Sequence, residues 1–62
     1  MDGNKIKQIR IAKGISQTEL AKMIKSDRSY LNKVENNKQK NPGTKYLARI
    51  AAALDCSISD FF

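Results

Sequence analysis

The stretch ISQTELAKMIKSDRSYLNKVENN, residues 15–37, decides how this chain folds. Leu20, Ala21 and Ile24 recur at helical spacing, and so do Leu31 and Val34, so two short helices follow one another across a brief connection. Ser16 with Glu19 three residues later fits a capping box. Ile15 before the cap and Leu20 at the fourth helical position fit a hydrophobic staple. A helix is therefore predicted over about residues 17–24. Asp27 is a good N-cap with a charge that suits the helix dipole, and it opens a second helix over about 28–36. Arg28, Ser29, Asn32, Lys33 and Asn36 fall at offsets 0, 1, 4, 5 and 8 and share one polar face of that helix.

The flanks read as further helices. In NKIKQIRIAKG, residues 4–14, Ile6 and Ile9 lie three apart and Gly14 is a stop signal, giving a helix over about 4–13. NNKQKNPG, residues 36–43, is the one obvious loop. Asn41 can cap and Pro42 suits a first helical position, so the next helix is predicted over about 42–54 with Leu47, Ile50, Ala51 and Leu54 inward. Ser57 caps a last short helix holding Ile58, Phe61 and Phe62. The expectation is an all-α domain over residues 1–62: a compact bundle of five short helices with a helix-turn-helix and no strand.

Composition narrows the function classes. A chain of 62 residues is one small domain with a thin stability margin and no room for a deep catalytic cleft. Twelve Lys+Arg against six Asp+Glu leave a net charge of +6, which favours a polyanionic partner. Charge is uneven: residues 25–45 hold six basic and two acidic side chains, whereas 46–62 hold one basic and two acidic. With one cysteine, Cys56, and no histidine, neither an internal disulfide nor a zinc ligand set is available, and no metal or cofactor is expected. No apolar run approaches a membrane span and there is no signal-peptide core, so the expectation is a soluble, cytoplasmic protein without a membrane or small-molecule partner.

Two helices, a tight turn and one polar face describe a helix-turn-helix, whose second helix fits the major groove of B-DNA. A merely solvated face favours Glu and Lys in compensating pairs. This face has Arg28, Ser29, Asn32, Lys33 and Asn36, with Lys38 and Lys40 following, and no carboxylate between Arg28 and Val34. Arg28 and Lys33 can donate to guanine O6 and N7, Asn32 can both donate and accept as adenine requires, and Ser29 can serve base or phosphate.

The motifs SQTELAKMI, SDRSYLNKVE, Asn41-Pro42 and LARIAAALDCSISDFF together resemble the lambda-repressor-like, Cro/cI-type (XRE) helix-turn-helix family from about Ile6 to Phe62. The seven-residue step from Glu35 to Pro42 is similar to certain phage repressors and to sporulation and biofilm repressors of bacilli, where SYL also lies in the third helix. The resemblance implies roles. Arg28, Ser29, Asn32 and Lys33 would face the groove. Gln17, Tyr30, Asn36, Lys38 and Lys40 would meet the DNA backbone. Arg10 and Glu35 would form an internal ion pair, and Cys56 would be a small core residue. Lys25 stands where the family usually has Gly and is expected to accept positive φ, Ser26 replaces an apolar residue, and Asn37 replaces another common Gly.

The implied function is a sequence-specific regulator of bacterial, phage or mobile-element origin that binds double-stranded DNA. It would act as a nucleoid-associated repressor, a homodimer on palindromic half-sites about one helical turn (roughly 34 Å) apart. A protein-interaction module of the same fold, such as an antitoxin, is the alternative, and it would show an apolar patch on the third helix. An enzyme has almost no support, because no histidine, no paired carboxylates near a nucleophile and no Gly-rich phosphate loop appear in the sequence. Phe61 is expected to close the core, and Phe62 either to sit exposed at a dimer contact or to mark where a longer protein was cut. Lys40→Ala is expected to weaken binding to all duplex DNA alike and to lower the slope of log affinity against log salt by about one. An unchanged slope in a salt titration removes Lys40 from the phosphate contacts.

Overall fold

The carboxylate of Asp2 accepts the Asn4 backbone N–H at 3.0 Å and starts α1, Gly3–Ala12, one residue earlier than the apolar spacing predicts. The computed structural model describes residues 1–39 and 41–62. After α1 come α2 (Gln17–Met23), α3 (Arg28–Glu35) and α4 (Thr44–Leu54), and a single 3₁₀ turn (Ile58–Phe61) ends the path. Four α-helices and that turn thus stand where five helices were expected, and no strand occurs among the described residues.

The capping box of α2 is complete: Ser16 Oγ accepts the Glu19 N–H at 3.0 Å and Glu19 Oε1 accepts the Ser16 N–H at 3.1 Å. These bonds hold the Glu19 carboxyl below the usual range. The 3₁₀ turn repeats the device with Ser57 and Asp60. α3 starts at Arg28 as expected, and one expected start, that of α4, is corrected. Asp27 occupies the N-cap position of α3, but its carboxylate makes no capping bond. α4 does not begin at Pro42. Its N-cap is Gly43, whose φ of 93° and ψ of 152° lie outside helical space, so the helix forms only from Thr44.

All four helices end in the same way. After each, one residue turns left-handed: Gly14 (φ 72°), Lys25 (φ 55°), Asn37 (φ 60°) and Asp55 (φ 54°). The next N–H then reaches back to the carbonyl five residues earlier: Ile15 to Arg10, Ser26 to Ala21, Lys38 to Lys33 and Cys56 to Ala51, at 2.8–3.1 Å. This Schellman geometry satisfies helix-end carbonyls that would otherwise have no partner. It also sets the tight turn of the helix-turn-helix at Lys25.

Ile6, Leu20, Leu31, Val34, Ile50, Leu54 and Phe61 are fully buried, so every element contributes to one core. Gly3 rests on the end of α3: a Cβ built there would lie 1.9 Å from the Val34 carbonyl oxygen. α4 supports the turn from behind. Arg49 donates to the Ile24 carbonyl, and the Tyr46 hydroxyl shares a hydrogen bond with Ser26 Oγ at 2.8 Å. Ser26, polar where the family favours an apolar residue, thereby finds a partner. Cys56 is half-buried against the core, and desolvation first, with the nearby Asp60 charge second, pushes its thiol up and away from thiolate chemistry.

Lys25 bears the left-handed strain of an L-residue, which costs about 1–2 kcal/mol. Lys25→Gly is expected to stabilise the domain by about 1 kcal/mol, net of glycine's greater unfolded-state freedom. The melting temperature should rise by roughly 4–8 °C. A lower melting temperature would show that the Lys25 side chain contributes more than its backbone costs.

Candidate nucleic-acid interface

The interface is built outward from a buried charge. Arg10 on α1 and Glu35 at the end of α3 are 7% and 2% exposed. They meet in a two-point contact: Arg10 Nε donates to Glu35 Oε2 at 2.8 Å and Nη2 donates to Oε1 at 3.0 Å. Arg10 Nη1 donates to the Ile15 carbonyl at 2.8 Å, tying the α1–α2 connection into the same fork. Among the described residues, no buried side-chain nitrogen or oxygen is left without a partner. That completeness is what makes a buried ion pair tolerable.

From Glu35 the bonding continues to the surface through Gln17, the first residue of α2. Its Nε2 donates to Glu35 Oε1 at 3.3 Å. Its Oε1 accepts from Arg28 Nε at 3.3 Å and from Asn32 Nδ2 at 3.5 Å. These last contacts are long, so they orient Arg28 and Asn32 without locking them. One turn further on, Asn36 Nδ2 donates to the backbone carbonyl of Asn32 at 2.9 Å and to its Oδ1 at 3.2 Å.

Beyond α3, the chain is anchored by Asn37. Its Oδ1 accepts the Gly3 N–H at 2.8 Å and its Nδ2 donates to Asp2 Oδ1 at 3.1 Å. The Asn37 amide first, then the Asn4 N–H, holds the Asp2 carboxyl below its usual range. The stability this adds is present above the ordinary carboxylate pKa and is lost as pH falls through the depressed one. The anchored turn delivers Lys38, whose N–H donates to the Lys33 carbonyl at 2.9 Å.

The result is one shallow concavity lined by Gln17, Asp27, Arg28, Ser29, Asn32, Lys33 and Lys38. It brings together the four residues expected to face bases and two of those expected to meet phosphates. Asn36 continues the same edge through Asn32. Tyr30 stands apart: it is half-buried, with its ring edge-on to Tyr46 at a 5.1 Å centroid distance and 89° between planes. Lys40, the fifth backbone candidate, lies outside the described residues. Sequence reasoning missed Asp27 as a lining residue, because an Asp that caps and an Asp that turns outward look the same in a string of letters. The large exposed apolar side chains are Ile11, Met23 and Phe62, and none lies on α3. No described helix is long and apolar enough to cross a membrane.

A family model described as helix-turn-helix matches residues 6–61. The HTH-type transcriptional regulator SinR of Bacillus subtilis (strain 168) is 43% identical over 58 residues, which cover 94% of this chain and 52% of SinR. The chain thus spans about half the length of that relative. The crystal structure of SinR, master regulator for biofilm formation, in complex with DNA matches with a TM-score of 0.91 at 40% identity, covering 97% of this chain and 98% of the other. The restriction-modification controller protein C.AhdI from Aeromonas hydrophila matches with a TM-score of 0.90 at 35% identity, covering 97% and 89%.

Removing one partner of the buried pair leaves the other charge uncompensated, so Arg10→Met or Glu35→Gln is expected to cost about 3–5 kcal/mol. That is a large share of the stability of any small domain. Urea unfolding of both single variants and of the double variant checks this. Single losses below about 1 kcal/mol would mean that the pair is not a constraint on the fold.

Proposed function

The chain belongs to the helix-turn-helix family of lambda-repressor-like, Cro/cI (XRE) type, and we propose that it is the DNA-reading part of a transcription regulator. The observation that carries this reading is the exposed face of α3, where donors and acceptors are tied through Gln17 to a buried ion pair. Side chains that must match base edges gain specificity from being held before contact.

In this reading α3 enters the major groove, about 12 Å wide. Arg28 and Lys33 donate to guanine O6 and N7. Asn32 pairs with adenine N6 and N7, and Ser29 contacts a base or a phosphate. Gln17, Asn36, Lys38 and Tyr30 meet the sugar–phosphate backbone and set the register. Two copies on palindromic half-sites about one turn (roughly 34 Å) apart would give the operator its symmetry. Repression follows by occluding polymerase, in the cytoplasm and on the nucleoid. The relatives support this direction: SinR is an HTH-type transcriptional regulator that has been crystallised with DNA, and C.AhdI is a restriction-modification controller. The reading involves binding alone and asks no chemical step of any side chain. A protein-interaction module on the same face is disfavoured by the polar and basic character of α3.

Selection of random duplex DNA on the purified chain should enrich a consensus containing a guanine. Arg28→Ala should then cost about 1–3 kcal/mol on the selected site and relax the preference at that guanine. Weakening by the same factor on every sequence would reduce Arg28 to a phosphate contact.

A further inference from the structure

Asp27 is out of place twice over. It sits at the N-cap of α3 without capping it, so the usual gain from an Asp at that position is forgone. It is also a carboxylate on a face whose other charged side chains are Arg28, Lys33 and Lys38, where a negative charge opposes the approach of phosphates. Among the described residues the one salt bridge is Arg10–Glu35, so no described cation is paired with it. A group that costs affinity and makes no capping hydrogen bond is suited to discrimination between partners.

The hydrogen bonding shows what it would discriminate. Ser29 Oγ donates to Asp27 Oδ2 at 2.9 Å, which commits the single hydroxyl proton of Ser29 to the carboxylate. Both side chains then present only lone pairs outward. The start of α3 is therefore an acceptor-only patch beside the donor-only guanidinium of Arg28. In the major groove an acceptor finds its partner in an exocyclic amino group, and a carboxylate in that of cytosine N4. Guanine O6 and thymine O4 would leave acceptor facing acceptor, a desolvated and unpaired contact, and adenine sets its N7 acceptor beside the N6 donor, so an acceptor-only patch matches cytosine best.

We propose that Asp27, oriented by the Ser29 hydroxyl, is a specificity-determining residue that requires cytosine at one position of each half-site, next to the guanine taken by Arg28. The inference rests on the DNA-reading function proposed above and adds a base identity to it. It also changes the role of Ser29 from a contact of either sort to the positioning partner of a carboxylate.

The test uses the full chain and the duplex that it selects. Each half-site position is replaced in turn, and binding is measured for the unsubstituted protein, Asp27→Asn and Asp27→Ala, with thermal melting of each as the control on folding. The unsubstituted chain should lose at least about tenfold in affinity when the cytosine·guanine pair is replaced by thymine·adenine. Asp27→Asn and Asp27→Ala should lose that preference while binding unrelated duplex DNA as tightly or more tightly. A second arm needs no protein variant: a duplex carrying 2-pyrimidinone, which is cytosine without its amino group, should bind as poorly as the thymine duplex. An unchanged preference profile in both variants, with tighter binding everywhere, overturns the proposal and leaves Asp27 a plain negative charge. So does full affinity for the 2-pyrimidinone duplex. If the unsubstituted chain selects no consensus at all, the DNA-reading function itself fails, an outcome distinct from either of these.

Discussion

The two-point contact between Arg10 and Glu35 is the constraint on which the rest of this domain depends. It joins the last turn of α1 to the last residue of α3 inside a core too small to absorb an unpaired charge. Taking both ions out of water is costly, and their attraction does little more than offset that cost. The pair matters for direction more than for net stability. A guanidinium fork satisfied by Glu35 and the Ile15 carbonyl leaves few arrangements of α1, the α1–α2 connection and α3. Glu35 then has one further partner, Gln17, which reaches Arg28 and Asn32. Interior packing, helix orientation and the pose of the exposed face are thus links of one chain of bonds.

A second layer of constraint surrounds α3. Its end bears on Gly3, where the Val34 carbonyl occupies the space of a Cβ, and Asn37 binds the backbone of Gly3 and the carboxylate of Asp2. Its start is set by the turn at Lys25, gripped by Arg49 and Tyr46 of α4. The helix that carries the candidate DNA-binding face is therefore held at both ends by other elements. Its outer side remains open, with Asp27, Arg28, Ser29, Asn32 and Lys33 all exposed. Rigid ends with a free face are what direct contact to base edges asks of a short helix, since each side chain lost to poor alignment is a base left unread.

How much of this was legible depended on whether a feature is local. Apolar spacing located the helices, and Ser16 with Glu19 gave the start of α2, because both signals lie within one or two turns of chain. The helix ends were harder. Only Gly14 announces its left-handed turn. Lys25 and Asn37 were visible as departures from a family pattern, and Asp55 carried no signal, because nothing in a single residue type marks a strained φ that the surrounding packing imposes. Pro42 reads as a first helical position, but the adjacent Gly43, at φ 93°, holds the chain outside helical space and delays α4 to Thr44. At the candidate interface, helical periodicity was enough to put Arg28, Ser29, Asn32 and Lys33 on one side of α3. The outward turn of Asp27, the edge-on packing of Tyr30 on Tyr46 and the bridging of Gln17 are tertiary facts, and they needed coordinates.

The central claim is that the face of α3, posed by the ion pair through Gln17, is the surface that meets DNA. An NMR titration of the isotopically labelled chain with its selected duplex tests it directly, residue by residue. The account predicts chemical-shift changes concentrated at Gln17 and across residues 27–38, with the exposed side of α1 at Ile11 and the α4 surface at Ala52 left unchanged. Changes centred instead on Met23, Arg49 and Ala52, the shallow groove beside the end of α2, would contradict it and place the functional surface on the other side of the turn.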